Sequence, residues 1–146
     1  MPPDSPIFTV ARVIQLSVAP VFLLTALGTL LGVFSSRLVR VVDRARVLNE
    51  KLPTMPEDRR ARLRAEFDVL ITRRKLVNTA ITFAISAALL VCALIATAFV
   101  GSMLRRDFSH PVATLFILAM VAFIGALLSF LAEVLLAVRS VRIEHP

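Results

Sequence analysis

One residue stands out by its setting. Glu133 is the only formally charged side chain within three long apolar blocks, residues 13–36, 76–104 and 111–138. An ionised carboxylate in hydrocarbon costs a few kcal/mol unless it is paired or wetted. Two chemistries are open to it. It can stay protonated and handle protons or ions, or it can clamp helices by pairing with a cation at its own depth. Arg37, at the inner end of the first block, is the nearest cation by sequence, and Asn78 offers a hydrogen bond. A second set of polar groups lies along the first block. Gln15, Thr25, Thr29 and Ser36, with Glu133, are the candidate pore or polar membrane positions.

No pattern for catalysis accompanies these residues. There is no nucleophile–base pair, no metal-ligand spacing and no phosphate loop, and Tyr and Trp are absent. General acid–base chemistry normally requires a partner for the acid. The expectation is therefore a protein that is not an enzyme, with no catalytic residues, no metal and no cofactor. Cys92 is the single cysteine and so implies no disulfide. His110, in a turn without a second ligand nearby, reads as a solvated residue.

The elements that position these groups follow from apolar length. The chain has 146 residues, is 58% hydrophobic and has a mean hydropathy of +0.83. Each apolar block meets the roughly 20 residues that a helix needs to cross a ~30 Å hydrocarbon core. Backbone groups in lipid must be paired within the segment, and the blocks lack the alternation of barrel strands. The expected fold is all-α and integral to the membrane, as a single domain over residues 1–146. Transmembrane helices are expected at about 13–36, 76–104 and 112–138. A cytoplasmic antiparallel helical hairpin, about 37–75, extends helices one and two. Arg12 plus the first block also resembles a secretory leader. The block exceeds a leader's 7–15-residue apolar core, and no A-x-A-like site follows, so a retained helix is expected.

Within the first helix, Gly28 and Gly32 stand four apart, with Thr25 and Ser35 or Ser36 on the same face. This small-residue pattern permits close helix packing, either against the chain's own helices or between copies. Pro20 removes a backbone donor and favours a kink near Leu16. In the second helix, Ala80, Ala84 and Ala88 form another close-packing face. In the third, Glu133 shares a face with Ala122, Gly125, Ser129 and Leu136.

The basic stretch carries 12 of the 17 Lys and Arg residues, between Arg37 and Lys75, against six acidic ones. Its first arm has an apolar seam of Leu38, Val41 or Val42, Ala45, Leu48 and Leu52, and its second has Leu63, Phe67, Leu70 and Ile71. Pro53-Thr54-Met55-Pro56 breaks the helix between them. Glu50 with Arg46, Glu66 with Arg62 and Asp68 with Arg64 are expected i, i+4 pairs. Arg37, Arg40 and Arg44 are candidates for a basic inner ring or for contact with anionic lipid. With Phe67 as its sole aromatic, the stretch is poorly equipped for base stacking, and nucleic acid is not expected as a partner. The opposite side holds only Arg12, Arg105 and Arg106, so the N-terminus is expected outside and the C-terminus in the cytosol.

The stretches Ile14–Leu24, Arg37–Arg44, Arg73-Arg74 and Phe130–Leu136 together resemble an uncharacterised bacterial integral-membrane family, domain of unknown function 2721. The resemblance spans about Ile14 to Val138. It implies a small prokaryotic membrane protein with three helices, singles out Gln15, Pro20, Arg37, Arg40, Asp43, Arg44 and Glu133, and implies no activity; the expected location is the bacterial inner membrane. Two functions are left: a homo-oligomer forming an ion-conducting or transport pore, or a non-conducting scaffold whose basic hairpin binds anionic lipid or a cytoplasmic partner.

Overall fold

The computed structural model describes residues 6–54, 56–104 and 107–142. Every element among them is helical. They are α1 (Pro6–Lys51), a 3-10 turn (Leu52–Thr54), α2 (Glu57–Leu104) and α3 (Ser109–Arg142). The predicted junction without a break between the first apolar block and the basic stretch is borne out, since α1 runs 46 residues and passes through Pro20. α2 likewise joins basic and apolar halves in one 48-residue helix. The break falls where the two prolines predict it: α1 stops at Lys51, and α2 starts at Glu57. Pro56 leads into α2, its carbonyl accepting the amides of Arg59 and Arg60, and Arg60 Nη2 reaches back to the Pro53 carbonyl at 3.2 Å. Ser5, expected from the sequence to cap a helix beginning at Pro6, and Met55 lie outside the described residues.

The start of α3 is capped. Asp107 Oδ1 accepts the Ser109 amide at 2.9 Å and the Ser109 hydroxyl, which satisfies a donor left open by the helix end. These two hydrogen bonds hold the exposed Asp107 carboxyl below the usual carboxylate range, the hydroxyl contributing most and nearby His110 least.

All three helices are long and apolar enough to cross a membrane, with 18-residue stretches of mean hydropathy 2.0, 2.6 and 2.7. Little of that apolar surface is covered by the chain. Only 11%, 22% and 17% of those stretches is buried. On α3, Ile117, Val121, Leu128, Leu131, Leu135 and Val138 are all exposed. A contiguous apolar surface of this kind needs lipid or another protein to cover it.

What is buried follows a seven-residue rhythm. On α1 the buried residues are Leu27, Phe34, Val41 and Leu48. On α2 they are Leu70, Val77, Ala80, Ala84, Ala87, Val91 and Leu94, alternating by threes and fours once Arg73 is included. On α3, Ala119, Ala126 and Glu133 stand seven apart, with Ala122 between the first two. This is the spacing of a helix seam that stays on one side as neighbouring helices wind together. The rhythm chooses Ala87 over the expected Ala88, and Val41 over Val42, as the buried member. Small alanines on α2 and α3 let backbones approach, as packing without a hydrophobic drive requires.

Packing divides the chain into two units, and each helix contributes to both. One takes residues 1–30 and 83–124, the other 31–82 and 125–146. In the first, Gly101 near the end of α2 lies against Phe108. An added Cβ there would sit 3.0 Å from the Phe108 Cβ. In the second, Val41 and Leu48 of α1 pack with Leu70 of α2, flanked by Ala45, Leu63 and Phe67. Arg44 and Glu66 bridge the same two helices, with Nη2 at 2.8 Å and Nε at 3.1 Å from Oε1. The expected i, i+4 partner of Glu66, Arg62, has its side chain outside the described residues. Glu66 faces Arg44 because the Val41–Leu70 seam brings α1 alongside, and a tertiary partner supplies two hydrogen bonds.

Candidate functional site

The second unit gathers one charged residue from each helix at one point. Arg37 comes from α1, Arg73 from α2 and Glu133 from α3. Each sits on or beside its helix's buried seam: Arg37 three residues after Phe34, Arg73 three after Leu70 and Glu133 seven after Ala126. Seam positions point inward, so the pattern that buries Leu, Val and Ala elsewhere places these charges together.

Glu133 is fully buried, with 0% exposure. Its Oε1 accepts Arg73 Nε at 3.0 Å and Nη2 at 2.8 Å. The Arg73 side chain is itself only 19% exposed. Two hydrogen bonds from one guanidinium fork to a carboxylate are the strong, orienting kind. Arg37 stands differently. Its Nη1 is 3.9 Å from Glu133 Oε2, within ion-pair reach, and its side chain is 41% exposed. Oε2 accepts no hydrogen bond from any described group. Phenylalanines wall the cluster. The Phe34 and Phe130 rings pack at a tilt of 38° with centroids 4.7 Å apart, and the Arg37 guanidinium carbon lies 5.8 Å from the Phe130 centroid. That is within range for a cation over an aromatic face.

The expected Glu133–Arg37 pairing is present as a long contact. The stronger partner, Arg73, is one that sequence reasoning missed. A signal was available, since Leu70, Arg73 and Val77 continue one seam on α2. Asn78, expected to donate a hydrogen bond, is exposed instead. It lies one position beyond the buried Val77, about 100° round the helix from the seam.

The small-residue face of α1 is the second feature of note. Gly28 and Gly32 are exposed, and a Cβ added to either would meet no described atom within 4 Å. Packing of this pair against the chain's own helices is thus corrected. The reason lies in helix geometry: at 100° per residue, Thr25, Gly28, Thr29, Gly32 and Ser36 centre about 180° from Leu27, Phe34, Val41 and Leu48. The hydroxyls on this face bond to their own helix. Thr25 donates to the Val21 carbonyl at 3.3 Å, Thr29 to Thr25 at 3.1 Å and Ser36 to Gly32 at 2.9 Å. Such back-bonding lets a hydroxyl lie in an apolar setting. Gln15 is exposed, and Pro20 is half-buried. Arg40 is exposed, whereas Arg44 is engaged by Glu66. Among the described residues no group of three or more His, Cys, Asp or Glu is placed to hold a metal ion.

A family model described as "Protein of unknown function (DUF2721)" matches residues 17–143, most of the chain, and the chain belongs to that family. No curated protein and no solved structure matches it.

Proposed function

We propose that this chain is a multi-pass membrane protein that assembles with further copies of itself through α1, enclosing a path for ions or small solutes. The observation that carries this reading is the bare face of α1. Thr25, Gly28, Thr29, Gly32 and Ser36 all point away from the chain's own core. Glycines cost a helix about 1 kcal/mol each relative to alanine, so a bare pair gives nothing to the isolated chain. Across a helix–helix contact in lipid the same pair allows backbones to approach, and a cyclic arrangement of copies brings the face to a common axis. Gln15, Thr25, Thr29 and Ser36 then line the axis, and Arg40 rings its inner mouth. The basic hairpin lies in the cytosol in this reading, which the bias of 12 basic residues there against three on the other side supports. The Glu133–Arg73–Arg37 cluster is a structural clamp that fixes α1 against α2 and α3 so that the face is presented.

A second reading, a scaffold that assembles without conducting, has its own support. The hydroxyl protons of Thr25, Thr29 and Ser36 are donated to their own helix, which leaves few donors on this face for an anion. Purified protein in liposomes, with ion flux and native mass spectrometry read together, separates the two. Flux with more than one copy supports the pore, and several copies without flux support the scaffold. A single copy without flux removes the pore and leaves a scaffold that acts through its basic hairpin.

A further inference from the structure

We infer that Arg37 holds the phosphate of an anionic phospholipid, over the Phe130 ring and beside the buried Glu133–Arg73 pair. The inference rests on the membrane reading above and names a partner for one residue of the basic stretch.

The first argument is charge. Glu133 carries one formal negative charge, and two guanidiniums stand at it. Arg73 satisfies the carboxylate with two hydrogen bonds to Oε1. Arg37 stops at 3.9 Å from Oε2, which accepts no hydrogen bond. The cluster thus has a surplus of one positive charge, and it sits on the arginine that is partly open. An anion approaching from outside finds guanidinium N–H groups that the carboxylate does not use.

The second argument is order. Most surface arginines pay side-chain entropy to hold a ligand. Arg37 is already fixed, its guanidinium carbon 5.8 Å from the Phe130 centroid, and Phe130 is packed against the fully buried Phe34. A planar guanidinium held in this way presents a fork that fits two phosphate oxygens. Neighbouring cations lack one or other property. Arg44 is engaged by Glu66 and Arg73 by Glu133.

The third argument is position. Arg37 is the first charged residue after 24 uncharged ones, Val13–Ser36. On a crossing of that length it meets the bilayer where the headgroups begin. A basic residue near an anionic leaflet gains about 1 kcal/mol, or roughly fivefold in retention.

The test uses the full chain. Flotation with phosphatidylcholine vesicles first reads insertion. Native mass spectrometry then counts phosphatidylglycerol and phosphatidylcholine retained per chain, with circular dichroism confirming the helices of each variant. The wild type should prefer phosphatidylglycerol. Arg37→Ala should lose about fivefold of that preference, Arg37→Lys should recover part of it, and Arg64→Ala, which removes the same charge at an exposed position of α2, should keep it. Folded Arg37→Ala that retains phosphatidylglycerol like the wild type overturns the site and leaves the membrane reading standing. So does an equal loss in Arg64→Ala, which would reduce the effect to net charge. Failure to float with vesicles overturns both.

Discussion

Arg73 and Arg37 both face Glu133, yet replacing them should have very different costs. Arg73→Ala leaves a fully buried carboxylate without the two hydrogen bonds it has at 2.8 and 3.0 Å. Removing one partner of a buried pair costs about 3–5 kcal/mol, because the remaining charge stays desolvated. For a chain of this size that corresponds to a fall of about 6–20 °C in Tm. Arg37→Ala removes a partly exposed cation at 3.9 Å that makes no hydrogen bond to the carboxylate. A contact of that kind is worth about 0–1 kcal/mol, and its position over Phe130 adds about 0.5–1 kcal/mol. The gap between the variants should exceed about 1 kcal/mol. A third variant isolates the cause. Replacing both partners by apolar residues of similar size, Arg73→Met with Glu133→Leu, removes the stranded charge and should restore most of the loss. Thermal unfolding followed by circular dichroism in one detergent reads all three. The reasoning is refuted if Arg37→Ala costs as much as Arg73→Ala, or if the double variant is no more stable than Arg73→Ala alone.

Three other perturbations follow from the same geometry. Gly28→Ala with Gly32→Ala should stabilise the isolated chain by up to about 2 kcal/mol, since neither Cβ meets a described atom within 4 Å. The same pair should weaken association between copies, read by the monomer fraction on dilution in detergent. Gly101→Ala should destabilise by about 1–2 kcal/mol after its gain in helix propensity, because the new Cβ meets the stem of Phe108 at 3.0 Å and a stem cannot rotate away. Its Tm checks this. Asp107 has a folded pKa below its unfolded value, so the stability it contributes is present above about pH 4 and is lost as pH falls through that range. Asp107→Asn should flatten this part of the Tm profile below about pH 4.

Much of the fold is legible without coordinates. Three apolar blocks of more than 20 residues, with Glu133 as their one charge, permit little but lipid-length helices, and two prolines three residues apart end α1 where it ends. The meeting of Glu133 and Arg37 is legible as well, since a lone acid among apolar residues demands a cation at its own level. What escaped were choices that neighbouring helices make. Glu66 has a basic residue four positions before it on its own helix, and local spacing favours that pair. Local spacing is silent about the partner on α1, Arg44, which the Val41–Leu70 contact sets opposite Glu66. Arg73 stands in a run of three basic residues, Arg73, Arg74 and Lys75, and composition alone does not say which turns inward. Phase does, because Arg73 lies on the seam between Leu70 and Val77 while Arg74 and Lys75 are exposed. For the glycine face, a small-xxx-small pattern says that close approach is permitted and is silent about what approaches. The direction emerges only from the stripe Leu27–Phe34–Val41 on the far side of the helix.

The account turns on whether the exposed face of α1 meets the same face of another copy. Disulfide cross-linking in native membranes measures this directly, in a Cys92→Ala background with a single cysteine placed either at Thr29 on that face or at Leu128 on α3, both of which are exposed. The account predicts that Thr29→Cys forms covalent dimers rapidly while Leu128→Cys stays monomeric. Equal cross-linking at both positions, or none at Thr29, would contradict it.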